Sequence, residues 1–336
     1  ASQITVDHPI QVHDLSPDGS RIATTDGADR IDLWDAEART HTASVDTTAF
    51  PGSTPVGDLV LSPGGERLAW SGPAGVVVWS PDGGSGVVLD APALPDGLPA
   101  EEGTRTFLGF TPDATMLLAI DTYHHTLLVW DLQERTRVDK PIPQLATARL
   151  SPDGRTLATT TGDGVVTLWD FPGLTRPEVL ATSQTAGPVS PKVAFSPDGA
   201  TLVVGDGRRV TVWDLAARTP GTSFGADFEF LGLVIAPDNR TVLLAGIDPD
   251  IRLWVTLWDV VDRARTVTLV EGGTLTSMRT DRDWTVLTAA DGHRVRFWEL
   301  DPERAIRRIC AALGRGLTRA EQDEFLAGRP SLATCR

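Results

Sequence analysis

The sequence predicts an all-β fold in which a four-stranded antiparallel unit is repeated seven times around a ring. The first observation is a turn, best formed as Ser-Pro-Asp-Gly at 151–154, that recurs at seven places along the 336 residues. Its Pro presets φ and its Gly accepts positive φ, so the turn suits a connection between two strands. The second is a Trp, usually followed by Asp, that comes 17 to 22 residues after the start of each turn. The third is the spacing of 39 to 51 residues between successive Trp, which is typical of the blades of a β-propeller.

Each copy has the same internal order of strands and turns. In the best copy, the runs at 156–160 and 165–169 have strand character, and Gly162-Asp163-Gly164 joins them as a hairpin. A single hairpin is marginal alone, so the copies are expected to pack on one another as a seven-bladed β-propeller of four-stranded antiparallel blades. The turns begin at Ser16, Ser62, Thr111, Ser151, Ser196, Ala236 and, in degenerate form, Thr280, and the Trp are Trp34, Trp79, Trp130, Trp169, Trp213, Trp258 and Trp298.

These residues resemble the WD-repeat β-propellers over about residues 2 to 300. The repeat Trp is expected between blades, because its indole buries a large apolar area and its N–H needs one partner. The turn Asp residues are expected to cap their own backbone, and Asp163, Asp206 and Asp291 match the structural Asp of that family. The Gly-His pair that often opens a repeat is missing, with His8 as the nearest remnant. We therefore expect the family's His–Ser/Thr–Trp hydrogen-bond network to be incomplete.

The first residues are expected to close the ring. Residues 2–7 look like a lone strand, whereas the seventh blade has only three strands of its own, at about 274–280, 284–290 and 294–300. If the N-terminal strand supplies the fourth, the open sheet edge that would invite aggregation disappears. The sequence thus predicts one propeller domain over residues 1–300.

The repeat pattern ends at residue 300, and a short C-terminal helical tail packed on the propeller is predicted for 301–336. Asp301-Pro302 starts one helix, and a capping box at 318–321 starts a second. Cys310 and Cys335 lie in this tail and could form a disulfide or stay as thiols in a reducing cytosol. The tail is similar to the C-terminal ends of actinobacterial multidomain WD-repeat proteins, in which a propeller follows an NTPase, protease-like or kinase module. That similarity implies a C-terminal signalling module for which Ala1 is a cut and Arg336 the true end.

Composition narrows the class of partner. The net charge of −15 argues against nucleic acid and anionic membranes, because phosphate binding needs clustered Lys and Arg. Every apolar run is shorter than the roughly 20 residues that span a bilayer, and no signal peptide is visible. A monomeric, cytoplasmic protein that binds protein partners is therefore expected.

Function is expected in the loops, where the copies differ most. Two connections between blades, 47–57 and 90–104, are long and rich in Pro, and the sixth blade has about four extra residues near 248–254. Because Trp, Tyr and Arg dominate interface hot spots, the predicted partner-binding anchors come from these loops and from the turns of blades three and five. They are Phe50, Tyr123, His125, Arg208, Arg252 and Trp254.

Several of these residues also have a purely structural explanation. Trp254 is surplus to the repeat and could simply pack its own insertion. His124 and His125 could begin a metal site, but adjacent residues on a turn rarely face one ion, so a solvated turn is favoured. Asp248 and Asp250 could bind a hard cation, although an exposed charged loop is favoured.

No enzyme motif is present in the sequence. It contains no Gly-rich phosphate loop, no Gly-x-Ser-x-Gly elbow and no His-Glu-x-x-His helix. The leading hypothesis is a non-catalytic protein-interaction scaffold or sensor domain that needs neither cofactor nor metal. The alternative is a propeller that binds or hydrolyses a small molecule, or a metal-dependent ligand, at its central channel. That alternative needs His125, Asp248 and His293 to converge at one mouth.

Overall fold

The computed structural model describes residues 2–50, 57–72, 75–81, 84–92, 105–182, 190–226, 228–247, 253–271, 277–281, 283 and 285–300. Within them the chain forms seven four-stranded antiparallel sheets, which confirms the predicted seven-bladed propeller. We number the blades one to seven in the order of their turns. The predicted helical tail at 301–336, with Cys310 and Cys335, lies outside the described residues.

Each blade consists of four strands that pair in chain order, except that blade seven takes its fourth strand from the N-terminus. Blades one to four contain β2 (Val12–Leu15), β3 (Arg21–Thr25), β4 (Arg30–Asp35), β5 (Thr40–Asp46); β6 (Leu59–Leu61), β7 (Leu68–Gly72), β8 (Gly75–Ser80), β9 (Ser85–Asp90); β10 (Arg105–Phe110), β11 (Met116–Asp121), β12 (Thr126–Asp131), β13 (Thr136–Pro141); β14 (Leu145–Leu150), β15 (Thr156–Thr161), β16 (Val165–Asp170) and β17 (Thr175–Thr182). Blades five to seven contain β18 (Lys192–Phe195), β19 (Thr201–Asp206), β20 (Arg209–Asp214), β21 (Thr219–Gly225); β22 (Glu229–Ile235), β23 (Thr241–Ile247), β24 (Leu253–Asp259), β25 (Ala264–Glu271); β26 (Ser277–Thr280), β27 (Val286–Asp291), β28 (Arg294–Glu299) and β1 (Ser2–Thr5). A single turn of 3-10 helix, Thr47–Ala49, follows β5.

The first strand of every blade lines a common central cavity of about 670 Å3. Residues from β2, β6, β10, β14, β18, β22 and β26 all contribute to its wall, so the cavity is the channel of the propeller. Prolines of three of the Pro-Asp-Gly-type turns also line it, at Pro17, Pro63 and Pro152.

The N-terminal strand closes the ring as predicted. Strand β1 pairs antiparallel with β28, with Ser2 opposite Phe297 and Thr5 opposite Arg294. Beyond the strand, the Val6 amide donates a hydrogen bond to the carbonyl of residue 293 at 2.9 Å. Ile4 and Val6 are buried in a cluster that joins blade seven to blade one. Closure therefore combines backbone pairing with apolar packing.

The hydrophobic core lies between the blades. Ile31 and Leu33 of blade one, for example, pack with Leu59, Leu61 and Trp70 of blade two. All seven repeat Trp lie in such inter-blade clusters or against them, which confirms their predicted structural role.

The indole N–H groups show which part of the expected network exists. Trp34 donates to Thr24 Oγ1 at 3.0 Å, and Trp169 donates to Thr159 Oγ1 at 2.9 Å. In both blades the Thr lies on the second strand and the Trp on the third. His8 instead places Nε2 at 3.0 Å from Asp32 Oδ2. The Thr–Trp half of the family's network is thus formed in blades one and four.

The turn Asp residues are structural. Ser151 Oγ donates to Asp153 Oδ1 at 2.6 Å, the Arg155 amide donates to the same oxygen at 3.0 Å, and the Thr156 amide donates to Ser151 Oγ at 2.9 Å. The hydrogen bond from Ser151 is the main cause that holds the pKa of Asp153 below its usual value. The same pattern of a side-chain hydroxyl and a backbone amide around the carboxylate recurs at Asp18, Asp113 and Asp198.

The seventh turn begins at Asp281 and not at Thr280, where the sequence placed it. The Asp281 amide donates to the Val286 carbonyl at 3.3 Å, as the Ser151 amide does to the carbonyl of residue 156 in blade four. The amides of Thr285 and Val286 both donate to Asp281 Oδ1, at 2.8 and 2.9 Å. A carboxylate here replaces the Ser or Thr hydroxyl that opens five of the other six turns, which is why the pattern looks degenerate in sequence.

His13 is a fully buried histidine on the first strand of blade one. Its Nε2 lies 3.1 Å from Thr288 Oγ1 on β27 of blade seven. Burial, with a smaller contribution from the charge of Arg279, lowers the pKa of His13 to about 3. The native state therefore holds this imidazole neutral at pH values at which an unfolded chain would protonate it.

We expect ring closure to depend on the buried side of β1. Ile4 is 3% exposed, so Ile4→Ala should lower the free energy of unfolding by about 2–5 kcal/mol. Thr5, its exposed neighbour, is the matched control, and Thr5→Ala should change that free energy by no more than about 0.5 kcal/mol. Deletion of residues 1–8 should lower the melting temperature further than Ile4→Ala, and an unchanged melting temperature would contradict closure by β1.

We also expect His13 to make the stability of the protein depend on pH. As the pH falls below 6.5, the unfolded state takes up a proton at this position and the folded state does not until a pH of about 3. The free energy of unfolding should therefore decrease on acidification, by up to about 1.4 kcal/mol per pH unit. Urea denaturation between about pH 6.5 and 4.5 measures this slope. His13→Gln should flatten it, while the other five histidines are common to both proteins; equal slopes would be evidence against the buried neutral imidazole.

Candidate functional site

The predicted anchors share one face of the propeller. Because consecutive strands are antiparallel, the turns between second and third strands lie on the same side as the connections between blades; we call this side the upper face. The Pro-Asp-Gly turns lie on the opposite, lower face. Five of the six predicted anchors fall within the described residues, either on the upper face or at the upper end of a strand: Phe50, Tyr123, His125, Arg208 and Trp254.

The turn of blade three presents an exposed Tyr on a fixed backbone. Asp121, which is 1% exposed, accepts a hydrogen bond from the His124 amide at 2.9 Å, and His124 Nδ1 lies 3.0 Å from the same carboxylate oxygen. The ring of Tyr123 stands edge-on to His124 with centroids 4.9 Å apart, and Tyr123 is 42% exposed. His125 has a left-handed φ of 48°, and its carbonyl accepts the amide of Ile142 at 3.0 Å. The two histidines therefore serve different purposes, since His124 braces the turn and His125 is solvent-exposed.

Phe50 and Trp254 are packed more than the sequence suggested. Phe50 is half-buried, and its ring stands edge-on to that of Trp70 at a centroid distance of 5.3 Å. Trp254 is half-buried against the cluster between blades five and six, and the Arg265 guanidinium lies 5.5 Å from its ring centroid. Both contacts favour a structural role for these aromatic residues. For Trp254 this agrees with the alternative in which it packs locally and does not bind a partner.

Arg208 is exposed in the corresponding turn of blade five, and its carbonyl accepts the amide of Ala226 at 2.8 Å. Tyr123, His125 and Arg208 are therefore the predicted anchors that present an exposed side chain on the upper face. The remaining candidates lie outside the described residues, namely Arg252, Asp248, Asp250 and the greater part of both Pro-rich connections.

One group of potential metal ligands converges within the described part of the chain. It consists of Asp7, His8 and Asp32, whose ligand atoms lie within 4.8 Å of one another. Asp32 is buried and already accepts several donors: Arg30 Nε at 2.8 Å and Ser44 Oγ at 2.5 Å reach Oδ1, while His8 Nε2 lies 3.0 Å from Oδ2. These hydrogen bonds and ion pairs explain, without a metal ion, why Asp7, His8 and Asp32 lie close together. His125 and His293, which the channel alternative requires, are not members of it.

The channel holds a group of charged residues that the sequence analysis did not single out. Its wall includes Asp14, Asp58, Arg149, Lys192 and Arg279. Arg279 Nε donates to Asp14 Oδ1 at 2.8 Å, and a backbone amide of blade two donates to Oδ2 at 2.8 Å. Arg149 Nη1 donates to a backbone carbonyl of its own strand at 2.8 Å. The sequence offered a signal for two of them, because Asp14 and Arg149 each lie two residues before the start of their turn. Arg279 shares this position only with respect to the turn start at Asp281 that the structure shows.

Enclosure by protein governs the ionisation of these groups. Burial raises the pKa of Asp14, and the neighbouring charge of Arg279 opposes that rise. Burial in the channel wall lowers the pKa of Arg149, the charge of Arg279 lowers it further, and the charge of Asp58 opposes this. Enclosure also lowers the pKa of Lys192, with a second contribution from Arg149. Arg149 thus lies close enough to both Lys192 and Arg279 for their charges to interact.

Comparison with known proteins gives partial matches along the chain. The family described as WD domain, G-beta repeat matches residues 140–170 and 187–214, which contain β14–β16 and β18–β20. None of the helices in the described part of the chain has the length and apolar character that crossing a bilayer requires.

Three relatives illustrate the extent of the similarity. Coronin-7 of Mus musculus is 32% identical over 222 residues, which cover 60% of this chain and 22% of coronin-7. WD repeat-containing protein 1 of Bos taurus is 30% identical over 142 residues, covering 41% of this chain and 23% of the relative. Protein HIR1 of Kluyveromyces lactis is 28% identical over 144 residues, covering 33% of this chain and 17% of the relative. The chain thus spans less than a quarter of the length of these relatives, and its repeats and matches together support a WD-repeat β-propeller.

Proposed function

We propose that this chain is a non-catalytic protein-interaction scaffold or sensor domain whose upper face binds a protein partner. The observation that carries the proposal is Tyr123, the only tyrosine of the chain, which is 42% exposed on a turn that Asp121 and His124 hold in place. WD-repeat propellers are generally protein-interaction scaffolds, which agrees with this assignment.

The upper face suits binding for physical reasons. A Tyr offers a large apolar surface and a polar tip at the cost of few rotatable bonds, and Arg adds hydrogen bonds and stacking. Tyr123 and Arg208 lie in corresponding turns of blades three and five, so both project from the same side of the ring. Because the Tyr123 turn is already fixed by Asp121, little conformational entropy remains to be lost when a partner binds.

We further propose that the propeller is the monomeric C-terminal module of a larger bacterial signalling protein, with the tail at 301–336 as an extension that packs on it. The similarity of the tail to multidomain WD-repeat proteins is the reason for this proposal. The cytoplasmic location expected from the sequence stays a prediction.

We expect Tyr123→Ala and Arg208→Ala each to weaken partner binding by about 2 kcal/mol, roughly 30-fold in Kd, as for hot-spot residues. Proteins from the cell of origin are captured on the immobilised chain and identified, and their affinities for each variant are then measured with purified partner. The matched control is Arg155→Ala, because Arg155 is exposed in the lower-face turn of blade four. All three substitutions should leave the melting temperature close to that of the wild type, since the side chains are exposed.

A photocrosslinking amino acid at position 123 provides an independent measurement, with position 155 as the control. Crosslinks to the same partner from position 123 and not from position 155 would support the upper face. Equal affinity of wild type and the double variant Tyr123→Ala/Arg208→Ala, or crosslinking from position 155 alone, would refute it.

A further inference from the structure

The central channel contains more positive than negative charge, although the protein as a whole is strongly acidic. Its wall carries Arg149, Lys192 and Arg279 against Asp14 and Asp58, whereas the chain has 45 acidic and 30 basic residues. From this imbalance, we propose that the channel is a binding site for a small molecule that carries a phosphate or carboxylate group, with Arg149 and Lys192 as the residues that contact the anion. The site is separate from the upper face and goes beyond the protein-binding function.

The pairing of the charges leaves these two cations available. Asp14 is 5% exposed, and each oxygen of its carboxylate already has a donor, Arg279 Nε at 2.8 Å and a backbone amide at 2.8 Å. Among the ion pairs of the described residues, none contains Arg149 or Lys192. The one hydrogen bond described for Arg149 uses Nη1 and a carbonyl of its own strand, which leaves donors of the guanidinium free.

The position of the two cations makes them one site. Arg149 lies on β14 and Lys192 on β18, the first strands of neighbouring blades four and five. After the larger effect of burial, the charge of Arg149 lowers the pKa of Lys192, and the charge of Arg279 lowers the pKa of Arg149, which the charge of Asp58 opposes. Three cations that repel one another in an enclosed space are stabilised when an anion enters, because it offsets the mutual repulsion and accepts charge-assisted hydrogen bonds.

The shape and lining of the channel indicate the class of ligand. A volume of about 670 Å3 lies within the usual range of small-molecule sites, roughly 300–1,000 Å3, and far exceeds the size of a single phosphate ion. The wall also carries the half-buried side chains of Phe110 and Phe195, against which the body of an organic molecule can pack. The guanidinium of Arg149 matches the planar, bidentate geometry of either a phosphate or a carboxylate.

The test uses inorganic pyrophosphate as the phosphate probe and succinate as the carboxylate probe, at constant ionic strength. We expect a saturable increase in the melting temperature of the wild type with one or both probes, and calorimetric titration gives the Kd. Arg149→Gln and Lys192→Gln should each weaken that binding at least about tenfold, as loss of a charge-assisted hydrogen bond does. The probe that binds more tightly identifies the chemistry of the natural ligand.

The chain offers matched controls for both substitutions. Lys140 is its only other lysine and lies on the outer strand β13, with Nζ 5.0 Å from the ring centroid of Trp169, so Lys140→Gln removes the same charge away from the channel. Arg294 is exposed at the start of β28, and Arg294→Gln is the corresponding control for Arg149. Both control variants should bind the probes like the wild type.

A second readout separates a binding role from a structural one. Without probe, Arg149→Gln should melt close to or above the wild-type temperature, because Arg149 is exposed and repelled by the charge of Arg279; loss of a residue needed for packing would lower the melting temperature. The proposal fails if neither probe shifts the wild type saturably, if Arg149→Gln and Lys192→Gln bind like the wild type, or if the control variants lose binding equally. None of these results depends on the upper face, since no protein partner is present.

Discussion

The pairing of β1 with β28 is the constraint on which the rest of the molecule depends. Each blade buries its faces only against its two neighbours, so an open row of seven blades would leave one face of blade one and one of blade seven in water. Four backbone-paired residues and the buried Ile4 and Val6 join these ends. In the closed ring the first strands of all seven blades surround one axis and line the channel.

The features that sequence could predict are those set by local chemistry. A turn such as that of Pro152 and Gly154, followed 17 to 22 residues after its start by a Trp, requires no knowledge of distant residues, and seven copies of it define the blades and their number. The prediction was wrong by one residue at Asp281, because a carboxylate there does the work that a Ser hydroxyl does elsewhere. Local chemistry thus fixes the pattern, but different residue types can satisfy the same backbone donors.

Features that depend on contacts between distant residues could not be predicted in this way. Asp14 and Arg279 are 265 positions apart and meet only after the ring has closed. The sequence also did not show which aromatic side chains are exposed. Phe50 and Tyr123 both lie in predicted loops, but Phe50 packs on Trp70 whereas Tyr123 is exposed. Sequence identifies which side chains lie on the upper face, and only the packing beneath them decides which of these can meet a partner.

The net charge of the chain and the charge of the channel act in opposite directions on an anion. Burial lowers the pKa of Arg149 and Lys192, and the charge of Asp58 opposes this at Arg149. The net charge of −15 repels anions at a distance, although salt screens that repulsion beyond about 10 Å. An anion can therefore gain stability in the channel only through short contacts with the cations, which favours ligands whose shape brings the charged group against them and disfavours ions held by charge alone.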